Sequence, residues 1–226
     1  MTSNVGQALA TGIIAKEKAP KVARRMMEGD MFSGWGIRTL SSDHMAFNPL
    51  AYHLGCVWPV DAGTTAFGLA RYGCVDELHR LTEGLFAASN LFVANRLPEV
   101  LGGFTRDDRH PHPGIFPGSC EPQGWSAGSI LLAIQALLGM VPVAPLGLLL
   151  IDPHLPSWLP DLRLEGIRVG PARVDLEFHR SKRGETRYRV LRHDGPVRVL
   201  RQPVSDGPEA TASGRLRAAL GSLSPF

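Results

Sequence analysis

The sequence predicts a mainly α-helical protein that ends in a small antiparallel β region. Apolar residues recur at helical spacing through much of residues 1–141, and short alternating runs separated by turn dipeptides follow. The chain has 226 residues, of which 44% are hydrophobic and 20% charged, as expected for a globular chain with a sizeable core. We assign residues 1–141 to a helical domain, 142–203 to a β-strand appendage and 204–226 to a flexible tail.

Five helices are predicted in the helical domain, and each has a local start or stop signal. Pro20 lies in the first turn of the second helix, Asp61 begins the third, and Leu97 and Pro98 end the fourth. The fifth, WSAGSILLAIQALL, is apolar almost all round, which predicts a buried helix. The predicted helices cover residues 5–15, 16–27, 61–72, 75–96 and 125–138.

Two irregular segments, residues 30–59 and 98–122, separate these helices. The first overlaps SGWGIRTLSSDHMAFNPLAYHLGCVWPVD at 33–61, which combines aromatic, cationic and acidic residues with periodicity-breaking Gly and Pro. A long irregular segment of this composition is too apolar for disorder and is usually functional. Aromatic faces stack on sugar C–H groups and polar side chains bind hydroxyls, so the segment predicts a sugar site.

The β region is predicted from period-two alternation. Ala172, Val174, Leu176 and Phe178 alternate with charged or polar residues, and Gly-containing dipeptides supply the turns. The predicted strands cover residues 146–151, 162–169, 174–178, 187–191 and 197–200.

Composition and spacing argue against several classes of function. The net charge is only +3 and no basic stripe with interleaved aromatics occurs, so we expect no nucleic-acid partner. No apolar run is long enough to cross a bilayer, so no membrane partner is expected.

Cys56, Cys74 and Cys120 are odd in number and widely spaced, which favours reduced thiols in a cytoplasmic protein. His110 and His112 lack a third ligand and are flanked by prolines, so we predict a surface loop, no metal and no cofactor.

Several motifs occur together in a recognisable order. They are FSGWGIRTLS, FNPLAYHLGCVWPVD, GLARYG, LPEVLGGF, PQGWSAGS and IDPHLPSWLPDLRLEGIRVG. Over residues 4–203 the chain resembles bacterial glycogen-debranching, amylo-α-1,6-glucosidase-like glycoside hydrolases, a group that includes mannosylglycerate-hydrolase-like enzymes. The resemblance implies an α/α toroid of six helical hairpins. Because it matches only the C-terminal part of those longer enzymes, it implies that this chain holds about half of the toroid.

The resemblance also implies inverting hydrolysis of an α-glucosidic bond by two carboxylic acids. Glu99 in LPE matches the family's general base, which would hold a water against the anomeric carbon; by itself it would be read as a solvated loop carboxylate. The family's general acid lies upstream of the SGWG motif, and none of Asp43, Asp61 and Glu121 matches it. We therefore expect the isolated chain to hydrolyse weakly or not at all, and we expect an upstream polypeptide to complete the site.

Seven residues are predicted to bind the sugar, each with an alternative. Three tryptophans are stacking platforms or core residues, and Arg38 binds hydroxyls or forms a structural salt bridge. His53 has a pocket role by its match to the family's YH motif, Asp61 caps its helix or binds a hydroxyl, and Gln123 binds sugar or orients Glu99. The predicted binding residues are Trp35, Arg38, His53, Trp58, Asp61, Gln123 and Trp125.

Three functions remain open at this stage. The first is a glycoside hydrolase module acting on an oligosaccharide or a small glycoside. The second is a non-catalytic carbohydrate-binding fragment or subunit that uses the same pocket wall. The third is a structural fragment without a ligand, whose exposed apolar faces would favour aggregation.

Overall fold

A computed structural model describes residues 1–202 and Leu216. The chain divides into two compact units, Met1–Ile134 and Gln135–Phe226. The predicted tail, 204–226, lies outside the described residues except for Leu216.

The first unit is built from helices joined by long irregular segments. Its helices are α1 (Asn4–Thr11), α2 (Ala19–Met26), α3 (Pro59–Arg71), α4 (Val75–Ser89) and α5 (Gly124–Leu137), of which the last continues past the boundary of the unit. Two short strands, β1 (Leu101–Gly102) and β2 (Gly114–Ile115), pair antiparallel. All five predicted helices are therefore present, with shifted ends.

Glycines allow α3 to lie close to two other helices. A Cβ on Gly68 would lie 2.7 Å from the Leu9 Cβ of α1, and a Cβ on Gly63 would lie 2.8 Å from the Ser129 Cβ of α5. Both distances are too short for any larger residue, so the packing depends on glycine at these positions. The core around these helices includes Leu9, Met26, Leu69, Leu78, Leu81 and Leu85.

The fourth helix ends earlier than its apolar pattern predicts. The periodicity continues to residue 96, but α4 ends at Ser89, and Ala94 and Asn95 have positive φ angles of 53° and 56°. Leu91 and Val93 are exposed, so no tertiary contact rewards a longer helix at that point.

The second unit contains two small sheets. The first has the order β3–β4–β8, formed by Val141–Val143, Leu148–Ile151 and Arg198–Arg201. The second is the antiparallel meander β5–β6–β7, formed by Asp161–Val169, Ala172–Arg180 and Thr186–Asp194. Strand β6 buries the four alternating residues from Ala172 to Phe178, as the period-two pattern predicts.

The predicted fold class is wrong. The described residues are 33% helical and 24% strand, with five helices and three small sheets, so the fold is not mainly α and shows no toroid. Two of the helices have only eight residues each, and the segments between α2 and α3 and between α4 and α5 form mostly turns and loops. The β region is not wholly antiparallel either, because β4 and β8 pair in parallel.

Candidate functional site

Five aromatic rings meet where the two irregular segments of the first unit approach α5. The Tyr52 ring lies edge-on to Trp58 with a centroid distance of 4.7 Å and is 5.7 Å from Phe116. His53 stacks on Trp58 at 5.8 Å with only 4° between the planes, and Trp125 is 6.2 Å from Trp58. We call these five residues the aromatic cluster. The side chain of Trp125 is 51% exposed, so a ligand could reach its ring.

A pocket of about 450 Å³ opens beside the aromatic cluster, a volume within the usual range for small-molecule sites. Its aromatic wall consists of His53, Trp58 and Trp125, and its polar wall comes from α1, the segment before it and the start of α3. We call it the Trp58 pocket. Its lining residues are Thr2, Ser3, Asn4, Thr39, His53, Trp58, Val60, Asp61 and Trp125.

Backbone hydrogen bonds join the two irregular segments beneath the cluster. Val57 and Leu101 exchange N–H to carbonyl bonds of 2.9 and 2.8 Å. A Cβ on Gly103 would lie 1.8 Å from the Gly55 carbonyl oxygen, so only glycine permits this approach. This approach explains the glycine at position 103, and the pairing brings the segment that carries Glu99 against the segment that carries Trp58.

Glu99 lies at the edge of the aromatic cluster. The Tyr52 hydroxyl donates to Glu99 Oε1 at 2.9 Å, and this bond raises the pKa of Tyr52. The Glu99 backbone N–H donates to the Cys120 carbonyl at 2.8 Å, which fixes the start of the loop. The half-buried carboxylate of Glu99 is therefore hydrogen-bonded to Tyr52, whose ring packs against Trp58.

Asp61 lines the Trp58 pocket from the first turn of α3. Its Oδ2 accepts from the Ser3 hydroxyl at 2.8 Å and its Oδ1 from the Gln7 amide at 3.1 Å. A carboxylate in the first turn of a helix also interacts favourably with the helix dipole. Asp61 therefore holds the N-terminal segment against α3, and a ligand hydroxyl would meet a carboxylate already fixed in place.

Two of the predicted binding residues belong to the core. Trp35 is 1% exposed, and the Arg106 guanidinium covers its ring at 4.4 Å. Arg38 is 2% exposed and donates to the Gly103 carbonyl at 2.7 Å, the Gly29 carbonyl at 2.8 Å and the Thr105 hydroxyl at 2.7 Å. Neither side chain is available to a sugar, which corrects the stacking role of Trp35 and the hydroxyl-binding role of Arg38.

Gln123 also has a local role. Its Oε1 accepts from the Gly124 N–H at 2.9 Å, and its carbonyl accepts from the Ala127 N–H at 3.0 Å. The residue therefore caps the start of α5 and does not orient Glu99 through a hydrogen bond. Of the predicted residues, His53, Trp58, Asp61 and Trp125 line one pocket. Glu99 does not line it but accepts a hydrogen bond from Tyr52, whose ring packs against Trp58.

Several side chains of the site are not among the predicted binding residues. Tyr52 is one of them, yet its hydroxyl donates to Glu99 and its carbonyl accepts from Trp58 Nε1 at 3.0 Å. Phe116 and Ser3 were not singled out, because each reaches the site through contacts distant in sequence. The only local signal for Tyr52 is that it precedes His53 in the sequence.

The Cys56 thiol near the site is not activated. Burial raises the pKa of Cys56 to about 11, and its thiol donates to the Tyr52 carbonyl at 2.6 Å. No group of three or more His, Cys, Asp or Glu side chains within residues 1–202 is arranged to hold a metal ion. In that part of the chain no helix is long and apolar enough to cross a membrane.

No protein-family model matches the chain, and no curated protein matches it.

Proposed function

We propose that the chain binds a saccharide in the Trp58 pocket. One observation carries this proposal: two tryptophan rings, one of them half exposed, line the same pocket as a fixed carboxylate and several hydroxyl and amide groups. An apolar wall for the sugar C–H faces thus lies opposite donors and acceptors for the hydroxyls. A ligand without hydroxyls would leave the polar wall unsatisfied, which costs binding free energy.

Titration of the chain with maltotriose, followed by calorimetry, tests this proposal. We expect Trp125→Ala to weaken binding about tenfold, which corresponds to ~1.4 kcal/mol of stacking. The matched control is Leu131→Ala, because Leu131 lies on the same helix, is 70% exposed and does not line the pocket. Absence of saccharide binding by the folded chain, or equal affinity in both variants, would contradict the proposal and favour a structural fragment.

A second function, hydrolysis of the bound glycoside, is favoured by the position of Glu99. A half-buried carboxylate that accepts from a tyrosine of the aromatic cluster, beside the Trp58 pocket, could orient a water as general base. Inverting hydrolysis also requires a general acid on the other side of the bond. Both Asp61 oxygens already accept hydrogen bonds from Ser3 and Gln7, so Asp61 is not placed to protonate a leaving group.

These observations support a glycoside hydrolase module that needs an acid from another polypeptide. For the chain alone we expect maltotriose to bind without robust release of reducing sugar, and we expect Glu99→Gln to leave the affinity within about twofold. Robust turnover that Glu99→Gln abolishes would show that the chain is a complete enzyme. Turnover unaffected by Glu99→Gln would remove Glu99 from the mechanism.

A further inference from the structure

The turn between β6 and β7, at residues 181–185, carries cations that have no close carboxylate partner. Elsewhere on the sheet, Arg163, Arg189 and Arg192 each have a carboxylate oxygen within 2.8 Å. Among the described residues, no carboxylate lies within ion-pair distance of Lys182 or Arg183, and the Arg187–Glu185 distance is 3.8 Å. The turn thus has a surplus of positive charge. Arg168 and Arg173, which oppose each other at the other end of the sheet, also have no ion pair among the described residues, so the feature that distinguishes the turn is its cavity.

These cations surround a cavity of about 370 Å³. Three cationic side chains and one carboxylate line it, so the lining carries a net charge of +2 with the histidine neutral. His179 and Arg187 are directly opposed across the two strands. The lining residues are His179, Ser181, Lys182, Arg183, Glu185 and Arg187.

Two polar atoms at the same turn lack hydrogen-bond partners. Ser181 Oγ and Arg180 Nε are both shielded from solvent, and neither has a partner among the described residues. The Arg180 guanidinium lies over the turn, since a Cβ on Gly184 would be 3.3 Å from its Nη2. Of these two residues only Ser181 lines the cavity. A buried hydroxyl without a partner is costly, and an acceptor bound in the cavity would remove that cost.

We propose that this turn is a binding site for a tetrahedral oxyanion, such as a phosphate or sulfate group on a ligand. Guanidinium and ammonium groups form their strongest hydrogen bonds with such oxygens. The Ser181 hydroxyl and the surplus cations would contact one anion, and the three cationic side chains of the lining would outweigh the repulsion from Glu185. The site lies in the second unit and does not depend on saccharide binding in the first.

Titration of the full chain with inorganic phosphate, followed by backbone amide NMR, tests this site. Saturable shifts are expected for residues 179–187, with sulfate competing and chloride at equal ionic strength having little effect. We expect Arg183→Gln to weaken phosphate binding about fivefold and Ser181→Ala about threefold. Unchanged amide shifts in β5 verify that each variant is folded.

The matched control is Arg173→Gln, which removes an exposed arginine at the opposite end of the same hairpin, where residue 173 pairs with Asp194. It should change the phosphate affinity less than about twofold. Shifts that stay linear up to about 50 mM phosphate, or equal weakening by Arg173→Gln and Arg183→Gln, would overturn the proposal, because either result indicates only general screening of charge. Binding of phosphate without any maltotriose binding would leave this site standing and reject the saccharide proposal alone.

Discussion

Arg38 shows how a single buried cation organises the loops under the site. Its three guanidinium nitrogens donate to groups in two separate segments, around Gly29 and around Gly103. Gly103 belongs to the loop that follows Glu99, so Arg38 acts on the site through the backbone and not through a ligand. A charge buried in this way is tolerated because each of its three nitrogens donates to an acceptor.

We therefore expect Arg38→Met to lower the free energy of unfolding by about 3 kcal/mol, because the buried Gly103 carbonyl loses its donor and the loops around Gly29 and Thr105 lose their link to it. Urea denaturation measures this change. Arg109→Met removes an exposed arginine and should change stability by less than about 0.5 kcal/mol. Unchanged stability combined with weaker saccharide binding would instead restore the hydroxyl-binding role predicted from sequence.

Asp30 links the end of α2 to the segment that follows it. Both of its oxygens accept from the Arg25 guanidinium at 2.8 Å, and Ser41 also donates to it. The hydrogen bonds from Arg25 are the main reason why the pKa of Asp30 falls from 3.8 to about 2. The folded state therefore binds this proton less readily than the unfolded chain does.

The stabilisation from Asp30 is accordingly complete well above pH 3.8 and is lost as the pH falls through about 2. We expect Asp30→Asn to cost about 1–2 kcal/mol at pH 7, since the part-exposed Arg25 is screened by solvent. Urea unfolding of both proteins between neutral pH and pH 2 measures the difference. A difference that stays constant over this range would show that the ion pair contributes nothing.

At the scale of elements, the stability of the first unit depends on how closely its helices pack against one another. Helix α3 packs against α1 and α5 through glycines, and the glycine of α5 at position 128 faces open space. Glycine thus has opposite effects on stability at two positions of this helix pair. The close contact between α3 and α5 requires glycine at position 63, whereas Gly128 only lowers the helix propensity of α5.

We expect Gly63→Ala to lower the free energy of unfolding by about 2 kcal/mol, because the new methyl would lie 2.8 Å from the Ser129 Cβ. Gly128→Ala should instead raise it by about 0.5–1 kcal/mol through better helix propensity. Thermal and urea unfolding of the two variants give the comparison. If both variants were stabilised, α3 and α5 could not be packed as closely as described.

The elements also show which parts of the fold could be predicted from the sequence. Local patterns suffice for α3 and the meander, because a start signal, apolar spacing and turn residues all agree there. For α5 they predict the position of the helix, but the predicted burial is wrong, because Trp125 is 51% and Leu131 70% exposed. They fail at the end of α4 and for the parallel pairing of β4 with β8, since both depend on contacts distant in sequence. The resemblance to a toroid glycosidase failed for the whole fold class, as motif order does not specify how helices assemble.

The site was predictable only in part for the same reason. Trp35 and Trp58 both lie among glycines and prolines, and no local feature distinguishes the buried ring from the pocket ring. The difference arises from Arg106, which covers Trp35 from a loop about 70 residues away along the sequence. Tyr52 became part of the site through Glu99, which likewise lies on another segment.

For the whole molecule, a ligand that binds only the folded state must stabilise the unit that contains its pocket. All residues of the Trp58 pocket lie in Met1–Ile134, so saccharide binding is linked to the unfolding of that unit. At a free maltotriose concentration of 100 times Kd, we expect the free energy of unfolding to rise by about 2.7 kcal/mol. Differential scanning calorimetry with and without maltotriose measures the shift in Tm.

Trp125→Ala is the control, since at the same maltotriose concentration its tenfold weaker binding should reduce the gain to about 1.4 kcal/mol. If the two units unfold in separate transitions, only the transition of Met1–Ile134 should move, and protection of the β6 amides against hydrogen exchange should stay constant. A Tm that rises equally in Trp125→Ala would show that maltotriose acts as a general co-solvent. In that case the aromatic cluster would serve only the packing of the first unit, and the proposal that the chain binds a saccharide would be rejected.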